Sequence, residues 1–326
     1  MRRALITGIT GQDGLYLAEF LLSQGYEVHG LIRGQNNPKY PLVREVVPEV
    51  VLHAGDLLDT SSLLRTLNAA NPHEVYNLGA ISYVAYSWEN ASLTSQVTGL
   101  GVLNMLESLR LHAGENLDNV RFYQASSSEM FGKVQQVPQR ENTLLWPRSP
   151  YGVSKVYGHY MTINFRESYG LHASSGILFN HESPRRGLEF VTRKVSQAVA
   201  RISLGLQSSL TLGNLDARRD WGFAGDYVRA MWLMVQQDAA DDYVIATGET
   251  HSIRELLDVA FACVGIDNWG PYVVQDPRLL RPAEVDLLIG DATKAKDRLG
   301  WKPEVPFDEL VRMMVENDLA EQRALR

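Results

Sequence analysis

The chain has 326 residues, 45% of them hydrophobic and 21% charged, with 31 basic against 38 acidic side chains for a formal charge of −7. That length fills one large domain or two moderate ones without disulfide or metal staples, and a single cysteine, Cys263, excludes an intramolecular bridge and makes a reducing cytoplasm the expected compartment. The acidic balance argues against nucleic acid as a partner, no apolar run reaches the roughly 20 residues of a membrane span, and an anionic metabolite would need a local cluster of arginines.

Short apolar runs alternate with amphipathic stretches over the first 180 residues. Ala4-Leu5-Ile6-Thr7 reads as a buried strand, and residues 15–24 as a helix with Leu17, Phe20 and Leu21 on one face and Gly25 as its stop. Strands follow at 27–32, 50–53, 74–78 and 120–124, with helices at 61–70 and 93–112 between them. A helix at 151–169 then leads to a strand at 175–179. Strand, helix and strand repeated with turn-length connections predict an α/β fold, a doubly wound, Rossmann-like parallel sheet covered on both faces. Beyond residue 180 the rhythm loosens, and helices around 192–204, 253–264 and 307–319 predict a smaller α/β part. The expected division is a cofactor-binding domain over 1–180, to which a segment near 213–248 is a candidate to return, and a mainly substrate-binding domain over 181–326. Met231, Trp232, Met234 and Val235 have the spacing of core residues, and Asp241-Asp242 reads as a solvated turn. No histidines stand at metal-ligand spacing, so no metal is expected. Ligands of doubly wound sheets bind beyond the carboxyl ends of the strands, which places the chemistry between the two parts.

Thr7-Gly8-Ile9-Thr10-Gly11-Gln12-Asp13-Gly14 stands where the first strand turns into the first helix. Gly8 permits the tight turn, Gly11 the approach of backbone to a pyrophosphate, and Gly14 the close packing of helix on strand, with the anion at the helix N-terminus. The bland reading is a plain turn, but its place in the first βαβ unit predicts a dinucleotide site. About twenty residues on, where NAD sites usually carry an acid for the ribose 2′-hydroxyl, stands Arg33. A guanidinium suits a 2′-phosphate, so NADP is favoured over NAD; the bland alternative is a surface arginine. Asp56 ends the third strand as a candidate adenine contact, with Leu57 beside it as a further cofactor candidate. Leu78, Gly79, Ala80 and Ser82 after the fourth are expected to line the nicotinamide side.

Tyr151-Gly152-Val153-Ser154-Lys155 opens a helix and places Tyr151 and Lys155 on one face. An ammonium lowers a neighbouring phenol's pKa, so the pair can move a proton on a hydroxyl or carbonyl near neutral pH. The fifth strand runs into Ser126-Ser127-Ser128-Glu129, where Ser127 is placed to bond the reacting oxygen. Glu129 is unnecessary for moving a hydride. A carboxylate there suits removal of a proton next to a new carbonyl, or help to a departing hydroxyl; its bland reading is a cap or a surface acid.

Together with Trp146-Pro147-Arg148-Ser149-Pro150-Tyr151-Gly152, Asn180-His181-Glu182-Ser183-Pro184-Arg185-Arg186-Gly187, Phe190-Val191-Thr192-Arg193-Lys194, Gly213-Asn214-Leu215-Asp216-Ala217-Arg218-Arg219-Asp220-Trp221-Gly222 and Arg281-Pro282-Ala283-Glu284-Val285-Asp286, these motifs resemble the GDP-mannose 4,6-dehydratases of the extended short-chain dehydrogenase/reductase family over nearly the whole chain. The resemblance implies a lyase that uses tightly held NADP to convert GDP-mannose to GDP-4-keto-6-deoxy-mannose, as a homodimer or homotetramer. It implies that Tyr151 is the base at the sugar 4-hydroxyl, tuned by Lys155. Glu129 would take the C5 proton and, with Ser127, assist loss of water from C6. His181 and Arg186 match cofactor contacts, and Arg186 is a candidate to share the 2′-phosphate with Arg33. Asn180 matches a substrate contact, Val191 and Lys194 the nucleotide side, Arg219 and Arg281 the diphosphate clamp, and Glu284 the guanosine side. The chain departs from the family pattern after the second strand, where Arg33-Gly34-Gln35-Asn36-Asn37-Pro38 is shorter than the family's segment. Two rivals remain: an NADP-dependent nucleotide-sugar reductase or epimerase, which needs no base at Glu129, and a non-enzymatic cofactor-sensing module, a class that typically lacks the Tyr and Lys.

Overall fold

In a computed structural model, which describes residues 1–34, 36–279 and 287–325, the apolar runs become the strands β1 (Arg3–Thr7), β2 (Glu27–Ile32), β3 (Val51–Ala54), β4 (Glu74–Asn77), β5 (Arg121–Ser127) and β6 (His172–Leu178). Their order across the sheet is β6-β5-β4-β1-β2-β3, every pair parallel. A seventh strand, Asp242–Ile245, adds in parallel at the β6 edge. The expected doubly wound sheet is therefore present. β4 is buried throughout and β5 nearly so, as strands covered on both faces must be.

Each face has its own apolar layer. On one, Leu17 and Leu21 of α1 (Gln12–Ser23) meet Met231, Met234 and Val235 of the helix Ala224–Gln236. On the other, Leu63 and Leu67 of α2 (Thr60–Ala70) meet Met105 and Leu109 of the helix Gly101–Ala113 and Phe165 of the helix Pro150–Tyr169. Full burial of each such side chain is worth about 1.5–3 kcal/mol. A third cluster, away from the sheet, joins Val195 and Val199 to Leu257, Phe261, Val311 and Val315. No described helix is long and apolar enough to cross a membrane.

The structure departs from the sequence reading at three places. The helix expected at 93–112 is broken into Val84–Glu89, Ala91–Thr94, a π-helical turn Ser95–Leu100 and Gly101–Ala113. The turn lies against the helix Pro150–Tyr169, where the bare Cα of Gly99 faces Ser154 and Tyr157. A short helix, Tyr40–Val46, occupies the loop after β2. Asp242 is not a solvated turn residue: it starts the edge strand, and its carboxylate takes two bonds from Arg166, at 3.1 and 2.8 Å.

Candidate active site

The glycine turn follows β1 directly. Gly8 has φ +71°, and a Cβ there would lie 2.9 Å from the Gly79 nitrogen, so the turn requires glycine on both counts. At Gly14 a Cβ would lie 2.4 Å from the Gly8 carbonyl oxygen, which fixes the contact of α1 with the turn. Thr7 donates its hydroxyl to Asn77 at 2.7 Å and accepts from the Gly79 N–H at 2.9 Å, tying the ends of β1 and β4 together. The result is a backbone cradle at a helix N-terminus, and it fits a dinucleotide pyrophosphate.

Two cavities meet at this cradle. The first is lined by Gly8, Thr10, Gly11, Gln12, Asp13 and Gly14, by Leu78, Ala80 and Ser82, by Ser127, Glu129, Tyr151 and Lys155, and by Asn180, His181 and Arg186. The second runs over the ends of β2 and β3 and is lined by Arg33, Asp56, Leu57 and Gly79, with Gly8, Thr10, Lys39 and Ala80 common to both. Arg186 thus lines the first and Arg33 the second.

Ser149 caps the helix Pro150–Tyr169, accepting from the Gly152 N–H at 3.0 Å, with Pro150 in its first turn. This start aims Tyr151 and Lys155 into the first cavity, the ammonium 5.7 Å from the ring centre. Lys155 donates to the Ala125 carbonyl at 2.7 Å, and burial lowers its ammonium to about 8. The net shift of the phenol is upward rather than the expected lowering. Burial pushes Tyr151 up to about 12, against the pull of its hydrogen bond with Ser127 and with Glu129 adding to the rise. Glu129 is 8% exposed, and its N–H donates to the Ser127 hydroxyl at 3.2 Å. One carboxylate, one phenol, one ammonium and one hydroxyl therefore share a wall.

On the far side lies a third cavity, lined by Val191, Lys194 and Arg219 with Tyr83, Leu212, Asn214 and Trp221. Val84, Asn180 and Phe190 line both this cavity and the first. Lys194 donates to the Thr211 carbonyl at 2.7 Å, and Arg219, 7% exposed, donates to the Arg218 carbonyl at 2.8 Å. Arg281 and Glu284 lie outside the described residues.

Several lining residues escaped the sequence reading. Phe190 lies beneath the Arg186 guanidinium, 3.6 Å from ring centre to carbon, and meets Tyr83 edge-on at 5.9 Å. Glu182, 2% exposed, pairs with Arg186 at 3.0 Å. Lys39 lines the first and second cavities from the loop after β2. Phe190 and Glu182 sit inside motifs already singled out, and alternation along the strand Asn180–Glu182 would have aimed Glu182 with Asn180. Lys39 carries no local signal, since only the closing of the short loop brings it to the cleft.

The chain matches the family model described as GDP-mannose 4,6 dehydratase over residues 5–314. GDP-mannose 4,6 dehydratase 1 of Arabidopsis thaliana is 55% identical over 324 residues, covering 97% of this chain and 89% of that protein. Among solved structures, RMD from Pseudomonas aeruginosa complexed with NADPH is 25% identical with a TM-score of 0.81, over 98% of this chain and 100% of that one. The UDP-glucose 4-epimerase of Thermus thermophilus in complex with NAD is 27% identical with a TM-score of 0.82, over 97% and 98%. With a glycine cradle, a Tyr and Lys pair and a neighbouring carboxylate in one cleft, the chain belongs to the GDP-mannose 4,6-dehydratase family.

Proposed function

We propose that this protein is a lyase that converts GDP-mannose to GDP-4-keto-6-deoxy-mannose. The observation that carries the reading is Glu129 in the same cavity as Ser127, Tyr151 and Lys155, in a chain that matches the dehydratases over nearly all its length. A reductase or epimerase of this fold would not require that carboxylate as a catalytic base.

A nicotinamide dinucleotide in the glycine cradle supplies a hydride acceptor that later serves as donor. Tyr151 takes the proton of the sugar 4-hydroxyl as C4 is oxidised, and Lys155 lowers the cost of the phenolate when it turns from Ala125 toward the ring. The new 4-ketone acidifies the C5 proton. Glu129 removes it and, with Ser127, assists departure of the C6 hydroxyl as water. A dinucleotide held there would return the hydride to C6 as a proton returns to C5, which would make the cycle redox-neutral and let the cofactor stay between turnovers. Asn180 holds the sugar, Val191 and Lys194 the nucleotide, and Arg219 the diphosphate.

NADP is the cofactor this reading favours, on the strength of Arg33 beside Asp56 in the second cavity. The outer face of the helix Pro150–Tyr169 exposes Val153 and Tyr160, with Trp88 and Leu100 exposed on the segments packed beside it. A cluster of this kind marks a protein interface, and we read it as the contact between two copies; a monomeric mass by light scattering would overturn that.

The test of the reaction is isotopic. GDP-mannose carrying deuterium at C4 is expected to yield product with that deuterium at C6, without net change in NADPH. Label lost to added cofactor, or no product, would sink the dehydratase reading.

A further inference from the structure

One face of α1 is stitched to the segment 181–185 along its length. Gln12 donates to the His181 carbonyl at 3.0 Å and accepts from the Ser183 hydroxyl at 2.7 Å. Arg185 grips Glu19 with bonds of 2.6 and 2.8 Å while lying over the Tyr16 ring. Between these stands Asp13, whose Oδ2 is 2.7 Å from Nε2 of His181. The other ring nitrogen, Nδ1, is 2.8 Å from the Phe179 carbonyl oxygen.

A carbonyl only accepts, and so does an ionised carboxylate. A ring bonded to both must donate from both nitrogens, which only the imidazolium does. The alternative, a neutral ring facing a protonated Asp13, fails on the carboxyl itself. Burial alone would raise it, but His181, Gln12 and Arg186 together hold it at about 2. The groups facing the ring are Asp13 from α1, Arg186 from the turn beyond, and the Tyr227 ring stacked at 4.6 Å from the helix Ala224–Gln236. Burial and Arg186 oppose the charge on the ring, and Asp13, helped by the Phe179 carbonyl, outweighs them.

We propose that Asp13 is a positioning residue that keeps His181 an imidazolium, and that this ion pair clasps the glycine turn to the strand carrying Asn180, holding the dinucleotide and sugar sides of the cleft in one register. The proposal rests on the nicotinamide dinucleotide reading above. An asparagine at position 13 preserves the shape and can still bond Nε2 through its amide. It supplies no charge, so burial and Arg186 then drive the ring neutral. The clasp becomes an ordinary hydrogen bond, and the ring recovers its proton only in acid.

The test uses the full chain, with NADPH binding followed by fluorescence and His181 followed by nitrogen-15 spectra of histidine-labelled protein. In the native chain both ring nitrogens are expected to carry protons at about pH 8, and its NADPH Kd is the reference at each pH, because Lys155 in the same cavity also titrates near 8. In Asp13→Asn the ring is expected to be neutral at about pH 8 and NADPH bound about tenfold more weakly, the loss shrinking as pH falls and the ring recharges. A bare ring nitrogen in the native chain, or an Asp13→Asn chain that binds NADPH as the native one does at every pH, overturns the proposal. If Asp13→Asn does not fold, the native spectrum decides alone. A native chain that binds no dinucleotide refutes the parent reading instead, and the spectrum still reports the ion pair.

Discussion

The two sides of the cleft are built by opposite means. On the cofactor side one contiguous octet, residues 7–14, makes the turn, the cradle and the start of α1. On the proposed sugar-nucleotide side the residues come from separate elements: Asn180 from a short strand, Val191 and Lys194 from a helix, and Arg219 from another short strand paired on both its edges. The difference lies in what does the recognising. Backbone N–H groups at a helix end can cradle a phosphate only if the local chain is shaped for it, so the residues must be consecutive. Side chains that converge on a ligand need only arrive, and they arrive from anywhere in the chain.

If the chemistry lies at the join between these sides, Glu129→Gln is the severest test. Product formation is expected to fall by about 10²–10⁴-fold, the usual worth of a positioned general base, while the absorbance of reduced nicotinamide still appears on rapid mixing. Normal turnover would remove Glu129 from the mechanism. A smaller effect separates the sides themselves. Arg219→Ala is expected to raise the KM for GDP-mannose by about 10–100-fold, as loss of a charge-assisted bond to a diphosphate would, with the Kd for NADPH nearly unchanged. Equal weakening of both ligands would mean the sides are not separate. Smallest of the three, Arg33→Met is expected to weaken NADPH by about tenfold and leave NADH alone, measured by fluorescence titration. If NADH weakens as much, Arg33 serves the adenosine in general and the 2′-phosphate has no dedicated partner there.

Legibility in the sequence follows the same division. The sheet's first six strands, α1 and the glycine turn could be read because periodicity and glycine spacing are local signals, and Tyr151 with Lys155 could be read because four residues make one helical turn. The edge strand Asp242–Ile245 could not, since four residues opened by an aspartate look like a turn until Arg166 is seen to neutralise it. The break at Ser95–Leu100 was hidden for a similar reason: an amphipathic pattern does not show where along it the helix Pro150–Tyr169 will pack. The phenol of Tyr151 was expected to be lowered because spacing places Lys155 near it. Burial, which spacing does not report, takes it the other way. The pairing of Arg186 with Glu182 and its stacking on Phe190 depend on a turn folding back over four residues, which residue types alone do not declare.

The edge strand has a consequence for anyone dividing this chain. A fragment ending near residue 180 would keep every residue of the glycine turn and of the Tyr and Lys pair. It would also leave β6 with a naked row of backbone donors and acceptors where Asp242–Ile245 now sits, and would strip from the sheet the helix that covers Leu17 and Leu21. An open edge beside an uncovered apolar face is a template for other chains. Recombinant work on the cofactor-binding portion alone would meet insolubility before it met chemistry, and a cut that spares the sheet must carry residues 224–245 along with it.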